Sequence, residues 1–240
     1  MFRHKGKYRT FSQNLKLASL LSFVAGIVNV AGYFSISTLT TNVTGHFAFF
    51  ADELVKSGWQ VAQVYLLYII SFFAGALVSS LSVEFMLRRR ERFMYFIPVL
   101  LEIIIIVTIA LSGPATLAYY AILVACSLLF AMGMQNALVT SISNAIVRTT
   151  HLTGLFTDLG IEIGQLFFYT QPEQLKKLKS SILLRLAIIS FFFLGCLVGG
   201  YGYFIFGISI LVLAATCLGT GLVYDSLKYK VVAMKRKYRK

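Results

Sequence analysis

The six residues Thr40-Thr41-Asn42-Val43-Thr44-Gly45 recur as Thr149-Thr150-His151-Leu152-Thr153-Gly154. Upstream, Phe23, Gly26 and Asn29 match Phe130, Gly133 and Asn136; downstream, Phe47 and Glu53 match Phe156 and Glu162. A further matched pair of blocks is Gly75-Ala76-Leu77-Val78-Ser79-Ser80 and Gly195-Cys196-Leu197-Val198-Gly199-Gly200. The chain therefore consists of two related halves, each with a polar break before a short segment, a pattern typical of transporters built from repeats.

The composition predicts an all-α, polytopic membrane bundle. Of 240 residues, 58% are hydrophobic and 13% charged, and the apolar residues form long runs. The three cysteines, Cys126, Cys196 and Cys217, lie in these runs without a metal-type spacing, so we interpret them as packing residues and predict neither metal nor cofactor. No A-x-A-like cleavage site follows the first apolar run, which is therefore expected to remain as a span.

Six apolar runs reach the length of about 20 residues that a spanning helix needs. They are 15–36, 59–87, 93–111, 117–139, 181–201 and 204–224. Two shorter segments, Val43–Val55 and Leu152–Phe168, each begin just after a repeated break. Length alone leaves the number of crossings open between six and eight.

The distribution of basic residues favours six crossings. The clusters are Arg3, Lys5, Lys7, Arg9 and Lys16; Arg88, Arg89, Arg90 and Arg92; Lys176, Lys177 and Lys179; and Lys228, Lys230, Lys235, Arg236, Lys237, Arg239 and Lys240. Six crossings place all four clusters on one side, which the positive-inside rule makes cytoplasmic. The predicted organisation is a basic cytoplasmic N-tail (1–14), a first membrane repeat (15–111), a second membrane repeat (117–224) and a basic cytoplasmic C-tail (225–240).

Three crossings in each half make the duplication an inverted repeat, because the second half then enters the membrane from the opposite side. Each short segment is either a re-entrant helix or part of a broken span, and charge does not choose between these paths. Non-helical backbone at membrane depth is tolerated only where it is buried in protein or lines a wet cavity. The two breaks are therefore the candidate solute site.

The residues of the breaks suit a small anion, carboxylate or zwitterion, because helix N-termini attract negative charge. The candidate substrate-binding residues are Asn29, Thr41, Asn42, Thr44, Gly45, Asn136, Thr150, His151, Thr153 and Gly154. Thr44, Gly45, Thr153 and Gly154 are expected to line a cavity near the midplane, with the two asparagines beside them. The alternative is that Thr, Gly and Asn only pack and bond between membrane helices.

Four acidic residues are candidates for proton coupling, since charge at membrane depth is expensive and usually functional. Glu53 and Glu162 are matched, Asp158 lies one turn before Glu162, and Glu102 lies within an apolar run. For Glu53 the alternative is that it lies at the outer surface, in water.

Two signatures resemble the YoaK-like (UPF0700-type) family of multi-pass bacterial membrane proteins. They are Ala25-Gly26-x-x-Asn29-x-x-Gly32-Tyr33-Phe34 before the first Thr-Gly, and Phe130-Ala131-Met132-Gly133-Met134-Gln135-Asn136-Ala137 before the second. The resemblance covers nearly the whole chain except its tails. In that family an Asp is usual at position 29 and an Asn at position 46, where this chain has Asn29 and His46.

Three classes of function remain. The first is a secondary transporter or facilitator of a small solute in the cell membrane, with lipid and solute as its partners and no nucleic acid. The second is an intramembrane enzyme, which the absence of G-x-S-G, G-x-G-D and H-E-x-x-H patterns disfavours. The third is a scaffold or sensor, which the absence of a soluble domain disfavours. We expect no catalytic residue; the oligomeric state stays open.

Overall fold

The structure is a computed structural model that describes residues 9–90 and 95–237. Its helices are α1 (Phe11–Ile36), α2 (Val43–Val55), α3 (Trp59–Arg90), α4 (Phe96–Ala110), α5 (Pro114–Tyr119), α6 (Ala121–Ser143), α7 (Leu152–Leu166), α8 (Pro172–Phe206), a 3-10 turn (Gly207–Ile210) and α9 (Leu211–Lys237). No strand occurs in these two ranges. The start of the predicted span 93–111 and most of the N-terminal basic cluster lie outside them.

Among the described residues, four helical stretches are long and apolar enough to cross a membrane: Phe11–Ile36, Trp59–Arg88, Ala121–Ser143 and Pro172–Tyr224. The last has 53 residues, far more than one crossing needs, and it contains the turn at Gly207, whose φ of 59° favours glycine. The apolar helix Phe96–Ala110 is shorter than a typical span. The chain is thus an integral membrane protein by its helices.

Several predicted boundaries move. The last two apolar runs divide at Gly207 instead of between 201 and 204, because hydropathy is continuous there and only the backbone turn separates the helices. The predicted run 117–139 begins inside the short helix α5, which Pro114 starts and Tyr120 ends. The backbone of α9 continues to Lys237, through residues assigned to the C-tail. The short segments match well: α2 has the predicted bounds.

Two close helix crossings join the halves. In the first, Gly26 of α1 lies directly against the Phe192 carbonyl of α8, and Gly195 lies against the Phe23 carbonyl. In the second, Gly75 of α3 lies against Phe130 of α6. Gly133 of α6 lies likewise against Phe72 of α3. Each crossing therefore pairs one Phe-x-x-Gly segment with another, and each uses one helix from each half.

The direction of the helices follows from their contacts. Along α1 and α8, Ile27 meets Gly199 and Phe34 meets Tyr203, so these two helices run parallel. The matched helices α1 and α6 run antiparallel: Gln135 Nε2 donates to the Leu21 carbonyl over 2.8 Å, while Gly32 lies near Leu128.

The two ends of the bundle are fixed by contacts of α9 and α4. Ser209 Oγ, in the turn before α9, donates to the Ala110 carbonyl at the C-terminus of α4. The Lys16 ammonium lies 6.0 Å from the Tyr224 ring centroid, so α9 runs back along α1. We call the end with Ser209 and the α2–α3 turn the Lys56 end, and the end with Lys16 and the start of α8 the Lys176 end.

Candidate functional site

The chain after α1 turns back into the bundle. Ser37 ends α1 with a φ of 53°, and the chain then turns back along this helix. The returning segment is held by Asn29 of α1. Asn29 Oδ1 accepts hydrogen bonds from the Thr41 N–H (3.2 Å) and the Thr41 hydroxyl (3.0 Å). The helix α2 therefore begins at the depth of Asn29, inside the protein, rather than at the Lys56 end.

The second half repeats this arrangement. Asn144 ends α6 with a φ of 57°. Asn136 Oδ1 accepts from the Thr149 hydroxyl over 3.3 Å, and Asn136 Nδ2 donates to Thr150 Oγ1. Each asparagine thus bonds to the break of its own half.

The two breaks meet at one cavity of about 510 Å³. Its lining residues are Asn29, Thr41, Asn42, Val43, Thr44 and Phe72 from the first half, and Asn136, Thr150, His151, Leu152, Thr153 and Phe192 from the second. Every residue of the first set has its matched position in the second. A cavity of this size lies within the range of small-molecule sites.

The N-termini of α2 and α7 both point at this cavity. Asn42 Oδ1 accepts from the Gly45 N–H over 3.0 Å and caps α2, whereas the matched His151 makes no side-chain cap for α7. In the part of the chain that the structure describes, no Asp, Glu, Lys or Arg lines the cavity. Its electrostatic character therefore comes from two helix dipoles whose positive ends converge, an arrangement that favours an anionic group.

Gly45 and Gly154 lie behind the cavity wall, contrary to the prediction that they line it. A Cβ on Gly45 would overlap the Asn42 amide, and one on Gly154 would come within 2.6 Å of the His151 ring. Because Gly45 and Gly154 have no side chain, they leave room for the N-cap residues Asn42 and His151. These two N-cap residues line the cavity.

Two of the four acidic candidates form an ion-pair cluster away from the cavity. The Glu162 carboxylate accepts from Arg185 Nε (2.8 Å) and Nη2 (2.9 Å) and from the Ser181 hydroxyl (2.6 Å). Arg185 Nη1 lies 2.9 Å from Asp158 Oδ2. Both carboxylates are therefore paired with Arg185, and neither lines the cavity. The cluster fastens α7 to α8.

The other two acids differ in their surroundings. Glu53 lies near the Lys56 end, where its carboxylate is next to Gly58, and it does not line the cavity. At the preceding position, Asp52 Oδ2 lies 2.6 Å from Lys56 Nζ, and this hydrogen bond raises the pKa of the Lys56 ammonium. Glu102 is 1% exposed on α4, and neither of its carboxyl oxygens has a hydrogen-bond partner among the residues that the structure describes.

Sequence reasoning missed three contributors. Arg185 is a single basic residue in an apolar run, and that position was itself a signal that an acid must lie near it. Phe72 and Phe192 line the cavity, yet nothing in their apolar surroundings separates them from lipid-facing phenylalanines. Within residues 9–90 and 95–237, no group of three or more His, Cys, Asp and Glu residues is placed to hold a metal ion.

The fold and the cavity define a polytopic helical membrane protein with a polar central cavity between two matched halves. The chain belongs to the family described as "Protein of unknown function (DUF1275)", whose model matches residues 17–224. It is also 29% identical over 180 residues to the UPF0700 transmembrane protein YoaK of Bacillus subtilis (strain 168), covering 72% of this chain and 77% of that protein. No solved structure matches the chain significantly.

Proposed function

We propose that this protein is a secondary transporter or facilitator of a small anionic or zwitterionic solute. The observation that carries the proposal is the central cavity, whose lining consists of matched positions from the two halves. Sites at the interface of internal repeats, formed by the N-termini of broken or re-entrant helices, are the usual solute sites of secondary transporters. No catalytic residue is assigned.

The proposed architecture has six crossings, α1, α3, α4, α6, α8 and α9, arranged as two inverted repeats. The antiparallel contact of α1 with its matched helix α6 supports inversion, because repeats with the same orientation in the membrane would keep matched helices parallel. In this arrangement α2 and α7 are re-entrant half-helices that begin near the midplane and end at opposite surfaces. Their irregular backbone then lies where protein and cavity surround it.

The Lys176 end is proposed to face the cytoplasm, since Lys16, Arg88 and the 176–179 cluster lie there while Lys56 lies at the other end. With Cys126, Cys196 and Cys217 replaced, Ser57→Cys is expected to react with an impermeant maleimide in intact cells. Lys177→Cys is expected to react only after permeabilisation. Strong labelling at position 177 in intact cells would contradict the orientation.

The cavity is tested by filling it from each half in turn. Thr44→Phe and Thr153→Phe place a ring where the solute is proposed to bind, so each is expected to weaken binding by about a hundredfold, roughly 2.7 kcal/mol. The control is Thr157→Phe, one turn along α7 on an exposed face. A solute identified by thermal-shift screening of the purified protein is then measured by equilibrium binding and by uptake into proteoliposomes. Full binding by both cavity variants would place the site elsewhere.

Of the four acidic candidates for proton coupling, we propose that Glu102 carries a proton. An ionised carboxylate without any partner at membrane depth costs several kcal/mol, so the neutral acid fits the observed surroundings. Glu102→Gln is expected to retain solute binding and to abolish the stimulation of uptake by a pH gradient. Its free energy of unfolding is expected to change by less than about 1 kcal/mol, because no hydrogen bond is lost. Glu53→Gln is the control; survival of the pH stimulation in Glu102→Gln excludes this role.

A further inference from the structure

A second cavity, of about 490 Å³, lies on the other side of Asn42 from the central one. Five rings line this aromatic chamber: Tyr33, His46, Phe49, Tyr65 and Tyr68. Asn42 lines both cavities, so the two adjoin at this residue. The chamber lies between α2, the start of α3 and the C-terminus of α1, toward the Lys56 end. A solute moving from that end to the central cavity has the chamber next to its destination.

The chamber has a buried hydrogen-bond acceptor without a partner. His46 is 4% exposed, and its Nε2 lies 2.9 Å from the Leu39 carbonyl oxygen. Because a carbonyl only accepts, Nε2 carries the ring proton, which leaves Nδ1 as an acceptor in the neutral ring. Nδ1 is buried and makes no hydrogen bond. The chamber is thus lined by aromatic rings and by a histidine with an unpartnered lone pair, and none of the described Asp, Glu, Lys or Arg residues is among its lining residues.

In the second half, residues of a different type stand at the positions that match the chamber. Phe49 and Tyr65, whose ring centroids are 5.3 Å apart, correspond to Asp158 and Arg185, whose side chains form the 2.9 Å ion pair. The buried Leu155 corresponds to His46. A short helix can therefore be fastened to its neighbour in this fold without an aromatic chamber. The rings and the histidine are a feature of one half, and packing alone does not require them.

We propose that the aromatic chamber binds the ammonium group of a zwitterionic amino-acid solute, on its way to the central cavity where the helix N-termini take its carboxylate. Aromatic faces attract cations, and an ammonium N–H supplies the donor that His46 Nδ1 lacks. A carboxylate is not attracted to aromatic faces and has no hydrogen to donate to His46 Nδ1. The inference rests on the proposed transport function and deepens it by naming the class of solute and an order of contacts.

Binding of matched probes to the full-length protein in lipid nanodiscs tests the inference. Each set contains an amino acid, the same molecule without its carboxylate, and the same molecule without its ammonium group. Three sets are used: glycine, methylamine and acetate; leucine, 3-methylbutylamine and 4-methylpentanoate; and phenylalanine, phenethylamine and 3-phenylpropanoate. In at least one set the amino acid is expected to bind about tenfold more tightly than its carboxylate analogue, the size of a desolvated cation–π contact.

Variants assign the ammonium contact to the chamber. His46→Leu, which introduces the residue of the matched position, and Tyr65→Leu are each expected to weaken amino-acid binding about tenfold. Both variants are expected to remove amine binding and to leave the carboxylate probe within about twofold of wild type. Tyr201→Leu, an exposed ring on α8, is the control. Phe49→Leu carries the test if either of these two variants fails to fold, because Phe49 is 51% exposed.

The outcomes separate the two proposals. If the carboxylate probe binds as tightly as the amino acid, or if His46→Leu and Phe49→Leu keep wild-type amino-acid affinity, the chamber inference is overturned while the central site stands. If no probe binds and Thr44→Phe changes no measured binding or uptake, both fail. Loss of amine binding in the chamber variants alone supports the inference.

Discussion

Arg185→Gln is expected to lower the free energy of unfolding by about 3 kcal/mol. The change removes a guanidinium that contacts two carboxylates and leaves Glu162, 13% exposed at its side chain, without its cationic partner. Breaking a buried ion pair costs about 3–5 kcal/mol, and the lower figure applies because Arg185 and Asp158 keep 21% and 50% of their side-chain surface exposed. Unfolding in denaturing detergent, followed by the helical circular dichroism signal, measures the difference.

Two comparisons isolate the ion pair from a general effect of removing charge. Lys56→Gln removes the exposed Asp52 pair at the opposite end and is expected to leave the free energy of unfolding nearly unchanged, because solvent screens an exposed pair. Glu162→Gln combined with Arg185→Gln leaves fewer unpaired charges and is expected to recover part of the loss. Equal stability of Arg185→Gln and wild type would mean that the cluster does not fasten α7 to α8.

The same cluster bears on the central cavity, because α7 carries Thr153 and His151 to the cavity wall. In the first half, Phe49 and Tyr65 take the positions of Asp158 and Arg185 and leave an open chamber beside the cavity. The two halves are thus fastened differently on the two sides of the central site.

The sequence predicted the parts of the site that depend on local order. Asn42, the residue of the break that directly precedes α2, caps this helix and sets where it begins, so Val43–Val55 has the expected bounds. The duplication predicted which residues meet, because a matched set of breaks has an equivalent place in each half. Asn29 and Asn136 were expected beside the breaks and are hydrogen-bonded to them.

The parts that sequence reasoning missed depend on contacts between distant elements. The pairing of Arg185 with Asp158 requires knowing which face of α8 meets α7, and a run of apolar residues around Arg185 does not specify that face. Phe192 lies between Phe191 and Phe193, yet it alone of the three is buried against the cavity. Gly207 divides α8 from α9 through its backbone conformation, which no change in hydropathy marks.

Substitution of the four crossing glycines is expected to be as costly as loss of Arg185. Gly75→Ala would place a methyl group in overlap with the Phe130 carbonyl oxygen of α6. This oxygen belongs to the backbone and cannot rotate away as a side chain would. The helices α3 and α6 must then separate, and overpacking of this kind costs up to about 3 kcal/mol. Gly26→Ala, Gly133→Ala and Gly195→Ala meet the Phe192, Phe72 and Phe23 carbonyls in the same way.

The four changes are expected to have similar costs, because the α1–α8 and α3–α6 crossings are built from the same Phe-x-x-Gly pairing. The control is Gly219→Ala on α9, where nothing lies within 4 Å of the added Cβ. It is expected to leave stability unchanged or to raise it by up to about 1 kcal/mol, since alanine is the better helix former. Detergent unfolding of the five variants gives the comparison. A large loss of free energy of unfolding at one crossing and none at the other would mean that the two crossings do not hold the halves together equally. Equal losses would mean that the duplicated Phe-x-x-Gly pairs contribute equally to stability.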